Sequence, residues 1–186
     1  MKSSILLSVI LFSFVACKKE PLVAPAPAPL KYADVAALKK DTIPDKAAFK
    51  VELVKDHDNY DETMFIFDKT SSLNYNADVD AEYFTGFGQE SLSSISTDGT
   101  NLAIYRLPYR SGMAIGLDIN VQADGAYTLD LSYEKNIPAN VHVWLKDNYL
   151  KDSVDVCAKK YTFKVVKADP NSYGNQRFQL VISSSN

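Results

Sequence analysis

From Phe49 onward, apolar and polar positions alternate with a period of two. Met113-Ala-Ile115-Gly-Leu117-Asp-Ile119-Asn-Val121 puts five apolar side chains on one face and Ala, Gly, Asp and Asn on the other. Tyr127, Leu129, Leu131 and Tyr133 then alternate with Thr128, Asp130 and Ser132. Successive strand side chains point to opposite faces, whereas a helix would scatter these residues around its surface, so both runs are predicted to be strands buried on one face. Asp124-Gly125 between them is a hairpin-turn signal and predicts that the two strands pair. Similar runs occur at Phe49–Val54, Thr63–Phe67, Leu92–Ser96, Leu102–Leu107, Val141–Leu145, Tyr161–Val166 and Arg177–Ser183. Short strands at this spacing, punctuated by Gly, Pro, Asn and Asp, predict an all-β domain over 48–186. The expected architecture is an antiparallel β-sandwich, Ig-like or jelly-roll-like. Met64-Phe65-Ile66-Phe67 is apolar on both faces, as a central strand should be. The 23 residues from Asp68 to Glu90 are long for a hairpin connection and predict a crossover or a functional loop.

The N-terminal quarter follows different rules. Residues 18–30 carry Pro at alternating positions, and Pro fixes φ while disfavouring helix in its predecessor. A polyproline-like spacer is expected, at ~3.1 Å per residue long enough to hold a domain roughly 40 Å from a surface. Residues 31–41 carry a thin apolar stripe (Tyr32, Val35, Ala36, Leu38) that allows a short helix ended by Thr42-Ile43-Pro44-Asp45.

Ahead of the spacer, Met1-Lys2 precedes an apolar run from Ile5 to Ala16, too short to span a bilayer and laid out as a secretory signal peptide. Phe14-Val15-Ala16-Cys17 resembles the lipobox of bacterial lipoproteins, in which the cysteine is lipidated and becomes the mature N-terminus. Cleavage at an ordinary signal-peptide site fits less well, because Phe14 is bulky where a small residue is wanted. The expected organisation is a signal peptide at 1–16, a lipid anchor at Cys17 with a tether over 17–47, and the β-domain over 48–186. Such a protein sits at the bacterial outer membrane through its N-terminal lipid.

Composition narrows the partners. The chain has 186 residues and a formal charge of −3; loss of Lys2 with the leader makes it −4. A mildly acidic chain lacks the basic stripe of a nucleic-acid binder and the polybasic patch of a lipid-headgroup binder. The two cysteines are Cys17 and Cys157, so lipidation of the first leaves the second as an unpaired thiol in an exported protein. Cys157 is expected as a small buried hydrophobe at a strand edge; the sharper alternative is a reactive or dimer-forming thiol.

A series of segments points further. Asp61-Glu-Thr-Met-Phe-Ile-Phe67, Tyr75-Asn-Ala-Asp-Val-Asp80-Ala81 and Leu102-Ala-Ile-Tyr-Arg-Leu-Pro108 follow in order. They precede Gly125-Ala-Tyr-Thr-Leu129, Val143-Trp-Leu-Lys-Asp147, Tyr161-Thr-Phe163 and Arg177-Phe178. The series resembles a β-sandwich module of exported surface proteins in the Bacteroidota, often found just upstream of a type IX secretion sorting domain. The resemblance implies an accessory or adhesive surface role and brings no catalytic residues with it. With a lipobox and no sorting segment after Asn186, the expectation is a free-standing lipoprotein form of the module.

Candidate chemistry is sparse. His57 and His142 come without a nucleophile motif, and no Gly-x-Ser-x-Gly, His-Glu-x-x-His or phosphate loop is present, so an enzyme is not expected. Two acidic clusters, Asp56/Asp58/Asp61 and Asp78/Asp80, carry the hard oxygen ligands that Ca²⁺ prefers, although Asp and Asn are equally the residues of turns. Tyr75, Tyr83, Phe84 and Phe87 in the long loop are candidate contacts for a partner protein of the envelope, or else rings that close one end of the domain. Aromatic residues on such a scaffold also allow glycan binding, and a small subunit of an outer-membrane transport or secretion complex is a further alternative.

Overall fold

The computed structural model describes residues 43–86 and 88–185. Cys17, the leader, the spacer and the short helix expected at 31–41 therefore lie outside the described residues, as does Phe87.

The described chain is all-β, about half of it in strands. The strands are β1 (Ala48–Val54), β2 (Tyr60–Phe67), β3 (Ala81–Glu82), β4 (Glu90–Ile95), β5 (Asn101–Leu107) and β6 (Met113–Val121). They continue with β7 (Gly125–Lys135), β8 (Val141–Asp147), β9 (Asp152–Asp155), β10 (Tyr161–Val165) and β11 (Phe178–Ser184). They form one sheet in the order β10-β7-β1-β2-β5-β4-β6-β11-β8-β9, with β3 attached to β5. The sheet curls into a nearly closed barrel-like shape around one apolar core. Ile115, Leu117, Ile119 and Val121 of β6 meet Phe49, Val51 and Leu53 of β1 there, and Phe49 stacks on Phe65 at 4.8 Å. Each such side chain contributes about 1.5–3 kcal/mol on burial, which is what selects the register of every strand. Ile43 and Ala47 join the core ahead of β1, where Lys46 N–H donates to Phe67 O.

Two expectations are corrected. β6 and β7 are strands as predicted, but they do not pair: β6 lies between β4 and β11, and β7 between β1 and β10. Residues 122–124 form an arch that carries the chain across the core, so both strands offer their apolar faces to it from different parts of the sheet. The sheet is also mixed rather than antiparallel throughout, because β2 and β5 run parallel from Met64↔Ile104 to Phe67↔Leu107. The long 68–89 segment is the crossover that makes this possible, and β2, apolar on both faces, is an interior strand as expected.

β2 and β4 share one edge of β5. Ile104 pairs with both Met64 and Ala81, and Leu102 with both Ser94 and Glu82, so β3 holds the other edge. Beyond Met64, the two neighbours are joined by side chains in place of a ladder. Buried Thr63 and Ser94 both donate to Leu102 O, at 3.1 and 3.2 Å, and the Asp61 carboxylate accepts from Leu92 N–H at 2.8 Å. Short polar side chains are needed at this seam because an unpaired backbone group in the interior costs on the order of 1–3 kcal/mol.

Candidate functional site: a polar cleft on a buried arginine–aspartate pair

Val141, Val143, Leu145 and Asp147 alternate inward along β8, so the strand carries a carboxylate into the core as its last inward residue. Phe178 pairs with Asp147 in register, which brings Arg177 alongside, and Asn148 N–H donates to Arg177 O at 2.7 Å. Both charged side chains are fully buried. Arg177 Nη2 lies 2.8 Å from Asp147 Oδ2, and Nε lies 3.1 and 3.3 Å from the two carboxylate oxygens. Nη1 donates to Lys164 O at 2.9 Å and to Ser172 O. The guanidinium carbon stands 4.7 Å from the Phe163 and Phe178 ring centroids and 5.1 Å from Tyr149. Asp147 also accepts from the backbone N–H groups of Tyr149 (2.9 Å) and Leu150 (3.0 Å) and from the Tyr161 hydroxyl (3.2 Å). Burial pushes this carboxyl's pKa up, but the bonds and charge of Arg177 with the two backbone donors outweigh it and leave the group below the usual carboxylate range.

The pair anchors two loops. The turn after β8 is capped by Asp147. The segment 166–176 is tied down by buried Ser172, which donates to Val166 O and Asp169 O at 2.8 Å each and accepts from Val166 N–H at 3.0 Å. A 3-10 turn over Pro170–Ser172 is capped by Asp169, which accepts from Asn171 N–H at 3.0 Å. Gly174 follows at φ +83°, a conformation that favours glycine, and its N–H donates to Ile119 O at 2.7 Å.

Between the two loops lies an open cleft of about 380 Å³, lined by Asn148, Tyr149, Lys151, Tyr173, Asn175 and Gln176 among others. The Tyr149 hydroxyl donates to Asp169 at 2.8 Å, which holds that carboxyl below its ordinary range and raises the phenol above its own. Lys167 Nζ sits 3.7 Å from the Tyr173 ring centroid. Primary amides and a bonded phenol donate and accept hydrogen bonds near neutral pH without changing protonation state, so the amides and Tyr149 are suited to binding.

The residues singled out from the sequence are placed elsewhere. Tyr75 packs against the core and Tyr83 is half-buried, its hydroxyl bonded to Asp61 at 2.5 Å; burial and that carboxylate push the phenol's pKa far up. Phe84 is 72% exposed, the most open large apolar side chain among the described residues. Of the acidic residues, Asp56 accepts from Asp58 N–H, Asn59 N–H and the Asn59 amide in the β1–β2 turn, with its pKa lowered by those bonds. Asp61 closes the β2–β4 seam. Asp80 accepts from Arg106 N–H at 2.7 Å and Asn76 N–H at 2.8 Å, while Asp58 and Asp78 are exposed. No group of three or more His, Cys, Asp or Glu among the described residues is placed to hold a metal, and the five candidate aspartates are not gathered into one such group. Asp56, Asp61 and Asp80 serve turns and a strand seam, with backbone N–H groups occupying their oxygens.

His57 is exposed in the same turn. His142 Nδ1 lies 2.7 Å from Asp155 Oδ2 on the outer sheet face, beside Trp144 with ring centroids 6.3 Å apart. Ser183 pairs with His142 in register, but no hydrogen bond joins their side chains. Cys157 lies in the turn after β9 and not in a strand edge; the residue is exposed, but its sulfur is turned in to within 4.0 Å of Val141 O, and that partial burial pushes the thiol pKa up to about 12. The Arg177–Asp147 pair was not foreseen, although an aspartate in the inward phase of a strand signals a buried cation.

Compared with family models, curated proteins and solved structures, the chain matches none of them.

Proposed function

We propose that this chain is a non-enzymatic binding module, anchored to the bacterial outer membrane by lipid at Cys17 and acting as an accessory at the cell envelope. The observation that carries the reading is the cleft between the 148–151 turn and the 170–177 segment. It is an open concavity beside a buried, hydrogen-bonded ion pair and is lined mainly by amide and aromatic side chains suited to binding. The lipobox-like Phe14-Val15-Ala16-Cys17 and the ordered resemblance to the Bacteroidota surface module support the location and the accessory role. On this reading the curled sheet works as a two-layer, sandwich-like scaffold. Its loops present the contact surface, with exposed Phe84 as a second contact point for an envelope protein.

Hydrogen–deuterium exchange of the protein against solubilised envelope material tests the binding role without presuming the ligand. Protection concentrated at 148–151 and 170–177 is expected, and unchanged exchange throughout the domain refutes it. The anchor is tested separately. Intact mass of membrane-extracted protein should show a chain starting at Cys17 with acyl mass added, and Cys17→Ser should move the protein to the soluble fraction. Two acyl chains at ~0.8 kcal/mol per buried CH₂ are what stable anchoring requires.

A further inference from the structure

We infer that the cleft beside Arg177 is a saccharide site, with Tyr149 as the stacking platform and the surrounding amides as readers of sugar hydroxyls. This rests on the binding-module reading above and adds the class of ligand. Tyr149 is 43% exposed, yet its hydroxyl is bonded to Asp169 and its ring stands over the Arg177 guanidinium. The ring is therefore fixed at its tip and on one face, with the remaining face open. A ring fixed before binding loses little rotamer freedom when a ligand arrives. A pyranose matches such a surface, because its axial C–H groups form an apolar face while its equatorial hydroxyls point sideways.

Each sugar hydroxyl both donates and accepts, and so does each primary amide. The amides here have half of that capacity already committed, which sets their orientation. Asn148 Nδ2 donates to Gln176 O at 3.1 Å, and Asn171 Nδ2 to Asp169 at 3.2 Å, so each keeps a free carbonyl oxygen. Gln176 Nε2 donates to Asn175 Oδ1 at 3.3 Å, leaving Asn175 Nδ2 and the side-chain Oε1 of Gln176 without a partner among the described residues. Three acceptors and one donor, with Lys151 Nζ at the rim, thus surround the platform. The cleft's volume of about 380 Å³ lies in the range of roughly 300–1,000 Å³ that small-molecule sites occupy. The single free cation among the lining residues, Lys151, is too little charge for a phosphate-rich ligand, since Arg177 is already paired with Asp147.

The test is affinity electrophoresis of the full-length protein through gels containing xylan, mannan, mixed-linkage glucan, polygalacturonate or alginate, followed by titration with oligosaccharides of any that retard it. Retardation by at least one polysaccharide is expected, with affinity reduced about tenfold in Tyr149→Ser and in the pair Asn175→Ala with Gln176→Ala. A tenfold change is what losing one or two good contacts produces. Asn175 and Gln176 are exposed, so their double variant should melt with the wild type and keeps the result independent of folding. Free migration through every gel overturns the saccharide assignment. Binding that survives both variants overturns the site. If the exchange experiment protects 148–151 and 170–177 only with the protein fraction of the envelope, the saccharide assignment falls while the binding-module reading stands.

Discussion

Replacing Arg177 with Met tests whether the Arg177–Asp147 pair organises this end of the domain. Arg177 is 2% exposed and its side chain wholly buried. The substitution keeps most of the apolar stem between Phe163 and Phe178 but removes every hydrogen bond of the guanidinium, including those to Lys164 O and Ser172 O. Asp147 is left charged in the interior with only Tyr149 N–H, Leu150 N–H and the Tyr161 hydroxyl to solvate it. Breaking one side of a buried pair costs about 3–5 kcal/mol. For a domain of this size about 3 °C of melting temperature follows each kcal/mol, so a fall of roughly 10–15 °C is expected. Asp147→Asn should cost a similar amount, because it leaves the guanidinium uncompensated while its remaining carbonyl oxygen still caps the turn. The double variant carries no buried charge and should be about as stable as either single one, giving a coupling energy of about 3 kcal/mol in a urea-unfolding cycle. The reasoning fails if the two losses simply add, or if Arg177→Met melts within about 2 °C of the wild type. The pair also fixes an acid limb. A carboxyl whose folded pKa lies below its unfolded value of about 3.9 contributes stability above that value and loses it as pH falls through the folded pKa. Stability of the wild type should therefore drop below about pH 4 more steeply than that of Asp147→Asn.

Two further outcomes are expected. Gly125 opens β7 at φ +152°, a conformation that L side chains avoid, so Gly125→Val should lower stability by about 1–3 kcal/mol on thermal denaturation, and Gly125→Ala by less; an unchanged melting temperature would show that the backbone relaxes freely there. With its pKa pushed up to about 12, Cys157 should react with iodoacetamide at pH 7.5 about a hundredfold more slowly than free cysteine, after allowing for the greater nucleophilicity of a more basic thiolate; a rate near that of free cysteine would contradict the desolvated thiol.

What could be read from the chain alone was the identity of the strands. Met113–Val121 coincides with β6, and the runs at 49–54, 63–67, 92–96, 102–107, 127–133, 141–145, 161–166 and 177–183 all fall on strands. Alternation is a local property, imposed by the two-residue repeat of the strand backbone and by burial of one face. It says which side of a strand is apolar and nothing about the neighbour on either edge. Hence Asp124-Gly125 read as a hairpin, whereas the chain crosses the core there, and the parallel β2–β5 pair left no trace in the pattern. β3 and β9 were too short to show a period. The acidic clusters illustrate the same limit. Asp56, Asp61 and Asp80 look alike as residues, and only the fold decides that backbone N–H groups from Asn59, Leu92 and Arg106 occupy their oxygens. Arg177 and Asp147 stand 30 residues apart, and their union depends on β8 and β11 lying side by side. Composition and period determine which residues leave water; the tertiary fold determines which of them meet, because pairing across a sheet is made by distant segments whose edges carry the same backbone groups everywhere.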